Sequence, residues 1–224
     1  ELCGLYRRAA VGLVTPHRDG MNLGLFAKEL DLMPDFGYPP VNYGGWGAPR
    51  AVWYTMTAAH CTVVVDGKNQ NAARGQTTLW ADCEALKAAR ASCPAMIGGR
   101  QYERSAIMIN VSPADFYIVD VFRVAGGGRH DEFKHSHFGN IQTGGLALSP
   151  ASNPFKDVQM REFRADAAPS PGWWVEWQIE DRFKLLSRPR DIRMRITNFT
   201  RNASASLCEG WISTNSFVEN EDAW

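Results

Sequence analysis

The stretch that decides the fold is YERSAIMINVSPADFYIVDVFRV, residues 102–124. Its two β-prone runs, Tyr102–Asn110 and Phe116–Val124, flank the turn-forming residues 111–115, VSPAD, which is typical of a β-hairpin with a turn of several residues. Short runs of the same kind recur along the chain between Gly, Pro, Asn and Asp. Many strands with few helices predict an all-β protein, either a two-sheet sandwich or a related barrel.

Further β-prone runs lie on both sides of this hairpin. In chain order they are Tyr6–Val14, Leu23–Ala27, Val52–Thr57, Cys61–Asp66, Thr77–Asp82, Arg129–His137, Trp173–Ile179, Ile192–Phe199 and Ala203–Ser213. Glu84–Ala91 has a helix-favouring composition but is too short to define an architecture. Residues 167–172, AAPSPG, predict a loop and not a domain linker, because strand-like sequence resumes at once. A single domain spanning residues 1–224 is therefore expected.

Composition excludes several classes of function. Lys+Arg and Asp+Glu both total 24, so the chain has no general basic field for nucleic acid. No stretch approaches the ~18 consecutive apolar residues of a membrane-spanning helix. The sequons at Asn110, Asn198 and Asn202 indicate a secreted glycoprotein, or are unused sequons of a bacterial protein. The five cysteines form no C-x-x-C zinc motif, although Cys83 and Cys93 could close a small loop.

Two histidines and an aspartate lie at expected strand ends. His17 lies in TPHRDG (15–20), Asp35 in MPDFGY (33–38), and His60 begins HCTVVVDG (60–67). Two imidazoles and a carboxylate suit a zinc site with water as the fourth ligand. Spacing alone does not establish such a site, because three such residues spread over 44 positions are usually unrelated.

The order of these motifs resembles that of a known family. TPHRD (15–19) followed by PDFGY (34–38) resembles the H-G-H-x-D … D-x-G-Y stretch of heparinase II/III-like polysaccharide lyases. AHCTVVVDG (59–67) is similar to their H-N-T-V-x-V-D-G signature. VDVFRVAGGGRHD (119–131) is similar to their V-D-x-F-R-V-x-G-G-x-x-H-D hairpin.

The resemblance implies an architecture and a metal site. In this family an N-terminal α/α toroid precedes a two-sheet antiparallel β-sandwich that covers the cleft, and this chain corresponds to the sandwich without the toroid. The family's metal ligands correspond to His17, Asp35 and His60 of this chain. The resemblance implies that they bind zinc or a similar divalent metal. Thr15 stands where the family has a substrate-facing His, and Cys61 where it has an Asn. A hydroxyl cannot supply an imidazole's proton chemistry near neutral pH.

The resemblance also implies an activity. Such lyases cleave uronic-acid-containing polysaccharide by β-elimination: a base removes the C5 proton, and the 4-linked oxygen leaves. The enzyme must neutralise the carboxylate and stabilise the developing negative charge, and in this family the main residues for these tasks lie in the toroid. The tyrosines of this chain whose hydroxyls could reach the cleft are Tyr38, Tyr43 and Tyr54, which lie near the metal motifs. For any one of them, packing in the core or exposure at the surface is the more common role. The metal is expected to be mainly structural.

A second histidine cluster lies in residues 129–137, RHDEFKHSH. It is either a polar strand end or a site where His130 and His135 contact anionic sugar. His135 and His137 would share a strand face by period two, which would also suit a metal. The metal site of a cupin needs in addition a Glu and a later His, and these do not follow at a suitable spacing.

We expect a secreted, extracellular or periplasmic lyase domain that partners a toroid of the same enzyme. The alternative, favoured by Thr15, is a non-catalytic carbohydrate-binding or assembly module.

Overall fold

The computed structural model describes residues 17–113, 115–182 and 184–212. The strands are β1 (Leu25–Ala27), β2 (Leu30–Met33), β3 (Val63–Val65), β4 (Gln76–Asp82), β5 (Leu86–Ser92), β6 (Gln101–Asn110), β7 (Phe116–Ala125), β8 (His130–Glu132), β9 (Gly139–Gly144), β10 (Ser149–Pro150), β11 (Met160–Asp166), β12 (Trp173–Ile179), β13 (Arg193–Asn198) and β14 (Ala205–Gly210). Helical structure in this part of the chain is limited to α1 (Pro49–Thr55) and three short 3-10 turns, at Val41–Tyr43, Thr57–Ala59 and Pro94–Met96. The predicted all-β class is confirmed.

The described residues form two compact units. Those within 17–23 and 55–134 make up the first unit, and those within 24–54 and 135–212 make up the second. The expectation of one domain over residues 1–224 stays a prediction. Among the described residues, no helix is both long enough and apolar enough to cross a membrane.

The first unit is built on a four-stranded antiparallel sheet in the order β4-β5-β6-β7. The predicted hairpin is confirmed as β6 and β7, which pair without interruption from Gln101↔Ala125 to Asn110↔Phe116. Side chains alternate between the two faces of a strand. On β6 the buried positions are therefore every second residue, from Tyr102 through Ala106 to Met108.

A two-stranded sheet, β3-β8, belongs to the same unit. Val63 and Val65 of β3 form a buried apolar cluster with Tyr102 of β6, and Phe122 and Val124 of β7 pack against this cluster. Two antiparallel layers thus meet face to face, which is the packing of a β-sandwich.

The second unit holds three antiparallel sheets, β1-β2, β10-β11-β14 and β13-β12-β9, together with α1. Its core is rich in aromatic side chains. Trp53 of α1 is fully buried and donates from its indole nitrogen to the carbonyl of Trp211 at 2.8 Å. Phe36 packs against Trp53, with ring centroids 6.0 Å apart, and against Tyr54, at 5.2 Å.

Two strand predictions were wrong, and one segment of helix-favouring composition is a strand. Val52–Thr57, predicted as a strand, lies mostly in α1, which begins with Pro49, a residue suited to the first helical position. Glu84–Ala91, with its helix-favouring composition, is largely strand β5, held between β4 and β6. The predicted strand Arg129–His137 is limited to β8, because β8 pairs only with the three residues of β3. His135 and His137 therefore do not share a strand face.

Other expectations have mixed outcomes. The predicted strand Tyr6–Val14 and the departure at Thr15 lie outside the described residues. Cys83 and Cys93 are both free thiols, so the suggested small loop is not closed by a disulfide. β9, β10 and β11 were not predicted at all.

Candidate metal centre

His60 is the most buried member of the predicted metal site, with no exposed surface. It follows the 3-10 turn Thr57–Ala59, and its Nδ1 lies 2.8 Å from the carbonyl oxygen of Met56. A carbonyl oxygen only accepts, so Nδ1 is the donor in this contact. Nε2 is then the ring nitrogen that remains for a metal.

The Nε2 nitrogen of His60 faces a second imidazole. His60 Nε2 lies 3.4 Å from His17 Nδ1, which is the long limit of a hydrogen bond. Two nitrogens bound at about 2.0–2.1 Å to one tetrahedral zinc ion would be roughly 3.3–3.4 Å apart. The spacing of the two rings therefore fits two ligands of one cation.

A carboxylate completes this group. One ligand atom from each of His17, Asp19 and His60 lies within 4.8 Å of the others. Asp19 was not predicted as a ligand, although it is the aspartate of the quoted TPHRD motif. Its position two residues after His17 was the signal that could have identified it.

Asp35 belongs to the second unit and lies two residues after the end of β2. Its Oδ1 accepts a hydrogen bond from the backbone N–H of Gly37 at 2.9 Å. Burial, together with the nearby charge of Asp35, raises the pKa of Asp31 to about 6. The assignment of Asp35 as a metal ligand stays a prediction.

Backbone hydrogen bonds hold the two histidine-bearing segments side by side. Arg18 N–H donates to the Thr55 carbonyl at 3.1 Å, and Leu23 N–H donates to the Cys61 carbonyl at 3.2 Å. The side-chain oxygen of Asn22 accepts from Cys61 N–H at 2.8 Å. The segment 17–23 is thereby fixed along residues 55–61, so the spacing of the two imidazoles is set by the fold.

A buried network of hydrogen bonds also links these segments to strand β6. Tyr102 donates its hydroxyl to the Val63 carbonyl at 2.6 Å and accepts from the Gln70 amide at 2.7 Å. Gln70 also donates to the Gly20 carbonyl at 2.9 Å. Burial raises the pKa of Tyr102, so its hydroxyl stays protonated. A satisfied network of this kind makes the local structure rigid.

The three tyrosines suggested for the cleft differ in environment. Tyr54 is buried and packs against Trp211, with ring centroids 5.8 Å apart. Tyr38 is exposed and lies edge-on to Trp46 at 5.6 Å. Tyr43 ends a 3-10 turn, and its side chain lies outside the described part. A catalytic role for any of them stays a prediction.

The suggested sugar-contacting histidines belong to different units. His130 is exposed on β8 in the first unit, with Nε2 lying 2.7 Å from the Gly126 carbonyl. His135 lies in the second unit, edge-on to Phe36 at 5.3 Å and to Trp53 at 6.2 Å. His135 is therefore part of an aromatic cluster, and the sugar contacts stay predictions.

The predicted glycosylation sites all lie at the ends of strands or in turns. Asn110 ends β6, and its side-chain amide donates to the Glu84 carbonyl at 2.7 Å. Asn198 ends β13, and its side-chain oxygen accepts from Thr200 N–H at 2.7 Å. Asn202 is exposed. Glycosylation at these three positions stays a prediction.

Comparison with known proteins identifies similar solved structures. No family model and no curated protein matches the chain. The chain is similar to solved heparinases. A heparinase III with methylated lysines matches at 15% identity and a TM-score of 0.46, and heparan sulfate lyase HepC from Pedobacter heparinus at 14% and 0.38. Both matches cover 86% of this chain but 30% of the other, so the chain spans less than a third of these structures.

Proposed function

We propose that this chain is the β-sandwich domain of a polysaccharide lyase that cleaves uronic-acid-containing polysaccharide by β-elimination. We also propose that it binds one divalent cation, zinc or a similar metal, between the two histidine-bearing segments. The observation that carries the proposal is the 3.4 Å separation of His17 Nδ1 and His60 Nε2. Both histidines belong to motifs that resemble the lyase family, so the geometry and the resemblance agree on these two residues.

The donor set fits a divalent cation. His17 and His60 would supply two neutral imidazoles, and a carboxylate would offset part of the metal's charge. Asp19 is the carboxylate that lies in the group, and Asp35 is the one that the resemblance implies. A bound metal would supply positive charge and fixed bond directions at this place.

The burial of His60 supports a structural role for this metal. A general base must come within hydrogen-bond reach of the proton that it removes. His60 has no exposed surface, and its Nδ1 is engaged with Met56. It therefore cannot touch a polymer in this conformation. We infer that the metal joins the two segments, while removal of the C5 proton falls to residues outside this chain.

Metal analysis tests the site directly. We expect about one zinc ion per chain in the wild-type protein and a strong loss of metal in His60→Ala. His130→Ala is the matched control, because His130 is an exposed histidine of the same unit and should keep the metal. Asp19→Asn and Asp35→Asn, made separately, identify the carboxylate ligand. Equal metal content in wild type and His60→Ala would exclude the site.

An activity assay tests the proposal that the residues for β-elimination lie outside this chain. Unsaturated uronate absorbs in the near ultraviolet, so β-elimination can be followed directly. The isolated chain should give no product, and steady product formation by this chain alone would contradict the proposal. If a longer protein that includes a toroid is also inactive while the chain binds the polymer, the chain is a non-catalytic carbohydrate-binding module.

A further inference from the structure

A buried arginine contacts both segments of the proposed metal site. Arg104 is on β6, at one of the inward positions of the strand, and its side chain is 5% exposed. Its Nε and Nη2 donate to the two carboxylate oxygens of Asp120, at 2.8 and 2.5 Å. Its Nη1 donates to the carbonyl of Met21 at 2.7 Å and also to the carbonyl of Cys61.

Arg104 and Asp120 remain charged in spite of their burial. Burial lowers the pKa of Arg104, but the hydrogen bonds and charge of Asp120 outweigh it and hold the pKa above its ordinary value. Burial raises the pKa of Asp120, but Arg104 and Lys134 hold it well below its ordinary range. Lys134 donates to Asp120 at 2.6 Å and to Glu132 at 2.6 Å. The ionised guanidinium is thus a permanent donor.

The two carbonyl acceptors belong to the two segments that carry the metal-binding residues. Cys61 directly follows His60, and Met21 lies two residues beyond Asp19. We propose that Arg104 is a positioning residue for the metal site, which fixes the distance between these segments through its Nη1. This inference rests on the proposed function, since it concerns the same metal. Groups that orient metal ligands typically change metal affinity by about 10–100-fold when removed.

The shape of the guanidinium explains why an arginine is needed. Two of its nitrogens bind Asp120 as a fork, and the third is left to reach both carbonyls. A lysine ammonium is a point charge and cannot reproduce this planar arrangement. Lysine at this position should keep the ion pair with Asp120 but lose the fixed spacing of the two carbonyls.

The experiment measures metal affinity and metal geometry in the full 224-residue chain. Arg104→Lys and Arg104→Met are compared with Arg123→Met, because Arg123 is an exposed arginine of the same hairpin that pairs with Glu103 at 3.5 Å. Zn²⁺ affinity is measured by competition with a chromophoric chelator, and Co²⁺ replaces zinc to give a visible spectrum sensitive to coordination geometry. Circular dichroism at the same temperature shows which variants are folded.

We expect both Arg104 variants to bind Zn²⁺ at least about tenfold more weakly and to alter the Co²⁺ spectrum. Arg123→Met should match the wild type in both measurements. If Arg104→Met does not fold, Arg104→Lys carries the comparison. Wild-type affinity and spectrum in folded Arg104→Lys would overturn the positioning role while leaving the metal site intact. A wild-type chain that binds no Zn²⁺ would overturn the proposed metal site, and this inference with it.

Discussion

Asp31 and Asp120 show how charged neighbours decide the pKa of a buried carboxylate. Burial and the charge of Asp35 raise the pKa of Asp31 to about 6. Burial also opposes the ionisation of Asp120, but Arg104 and Lys134 more than compensate, and its pKa is well below the ordinary value. Asp120 is therefore ionised in the folded protein.

This charge should make stability depend on pH. A carboxylate whose pKa is lower in the folded than in the unfolded state stabilises the fold above the unfolded pKa, about 3.9 for aspartate. That stability is lost as the pH falls below this value towards the folded pKa. Asp120→Asn should reduce the free energy of unfolding by about 3–5 kcal/mol at pH 7, because Arg104 is left buried without its counter-charge.

Urea unfolding of wild type and Asp120→Asn at pH 7, 5 and 3 measures this effect. The difference between the two proteins should be the same at pH 7 and 5 and smaller at pH 3. Asp115→Asn is the control, because Asp115 lies in the exposed turn of the same hairpin. A difference independent of pH would show that Asp120 does not act through its charge.

The sequence identified some residues of the site and missed others for physical reasons. His17 and His60 were found because each lies in a motif, and the structure brings them together. Arg104 was missed because a pattern of residue types does not show where a charge finds its partners. Its period-two spacing from Tyr102 and Ala106 on β6 was the available signal, since it predicts a buried charge.

At the scale of single elements, α1 and β5 show how tertiary packing overrides local preference. α1 has seven residues, too few for a helical period to be recognised, and its Val, Trp and Tyr favour strands. β5 contains Leu, Lys, Arg and three alanines, which favour helix. As an inner strand of its sheet, β5 pairs on both edges, and this pairing decides its conformation.

The burial of α1 leads to a prediction for two neighbouring residues. Trp53→Ala should reduce the free energy of unfolding by about 3–5 kcal/mol, because it leaves a cavity and removes the hydrogen bond to the Trp211 carbonyl. Val52→Ala, at a residue that is 36% exposed, is the matched control on the same helix. It should cost less than about 1 kcal/mol. Chemical denaturation measures both, and equal effects would mean that α1 does not pack through Trp53.

At the scale of the whole molecule, the all-β class and the central hairpin were predictable, while the division into two units was not. The hairpin is local in sequence, so its two strands and turn lie within one stretch of 25 residues. Each unit instead joins segments that are far apart, such as 17–23 with 55–134. A pattern of strands and turns does not show which distant segments of the chain pack together.

At the same scale, a bound metal should contribute to the stability of the whole chain. If the metal joins two segments of the first unit, its binding free energy contributes to folding, and chelation should lower the melting temperature. A free metal concentration about 100 times the dissociation constant stabilises by about 2.7 kcal/mol. For a chain of this size, that corresponds to a fall of roughly 5–10 °C on chelation. His60→Ala should melt near the chelated wild type and respond no further to chelator, whereas His130→Ala should behave as wild type. Calorimetry with and without chelator, with metal content measured on the same samples, decides the matter. An unchanged melting temperature after complete loss of zinc, together with loss of activity in a longer lyase, would mean that the metal takes part in the chemistry and does not stabilise the fold.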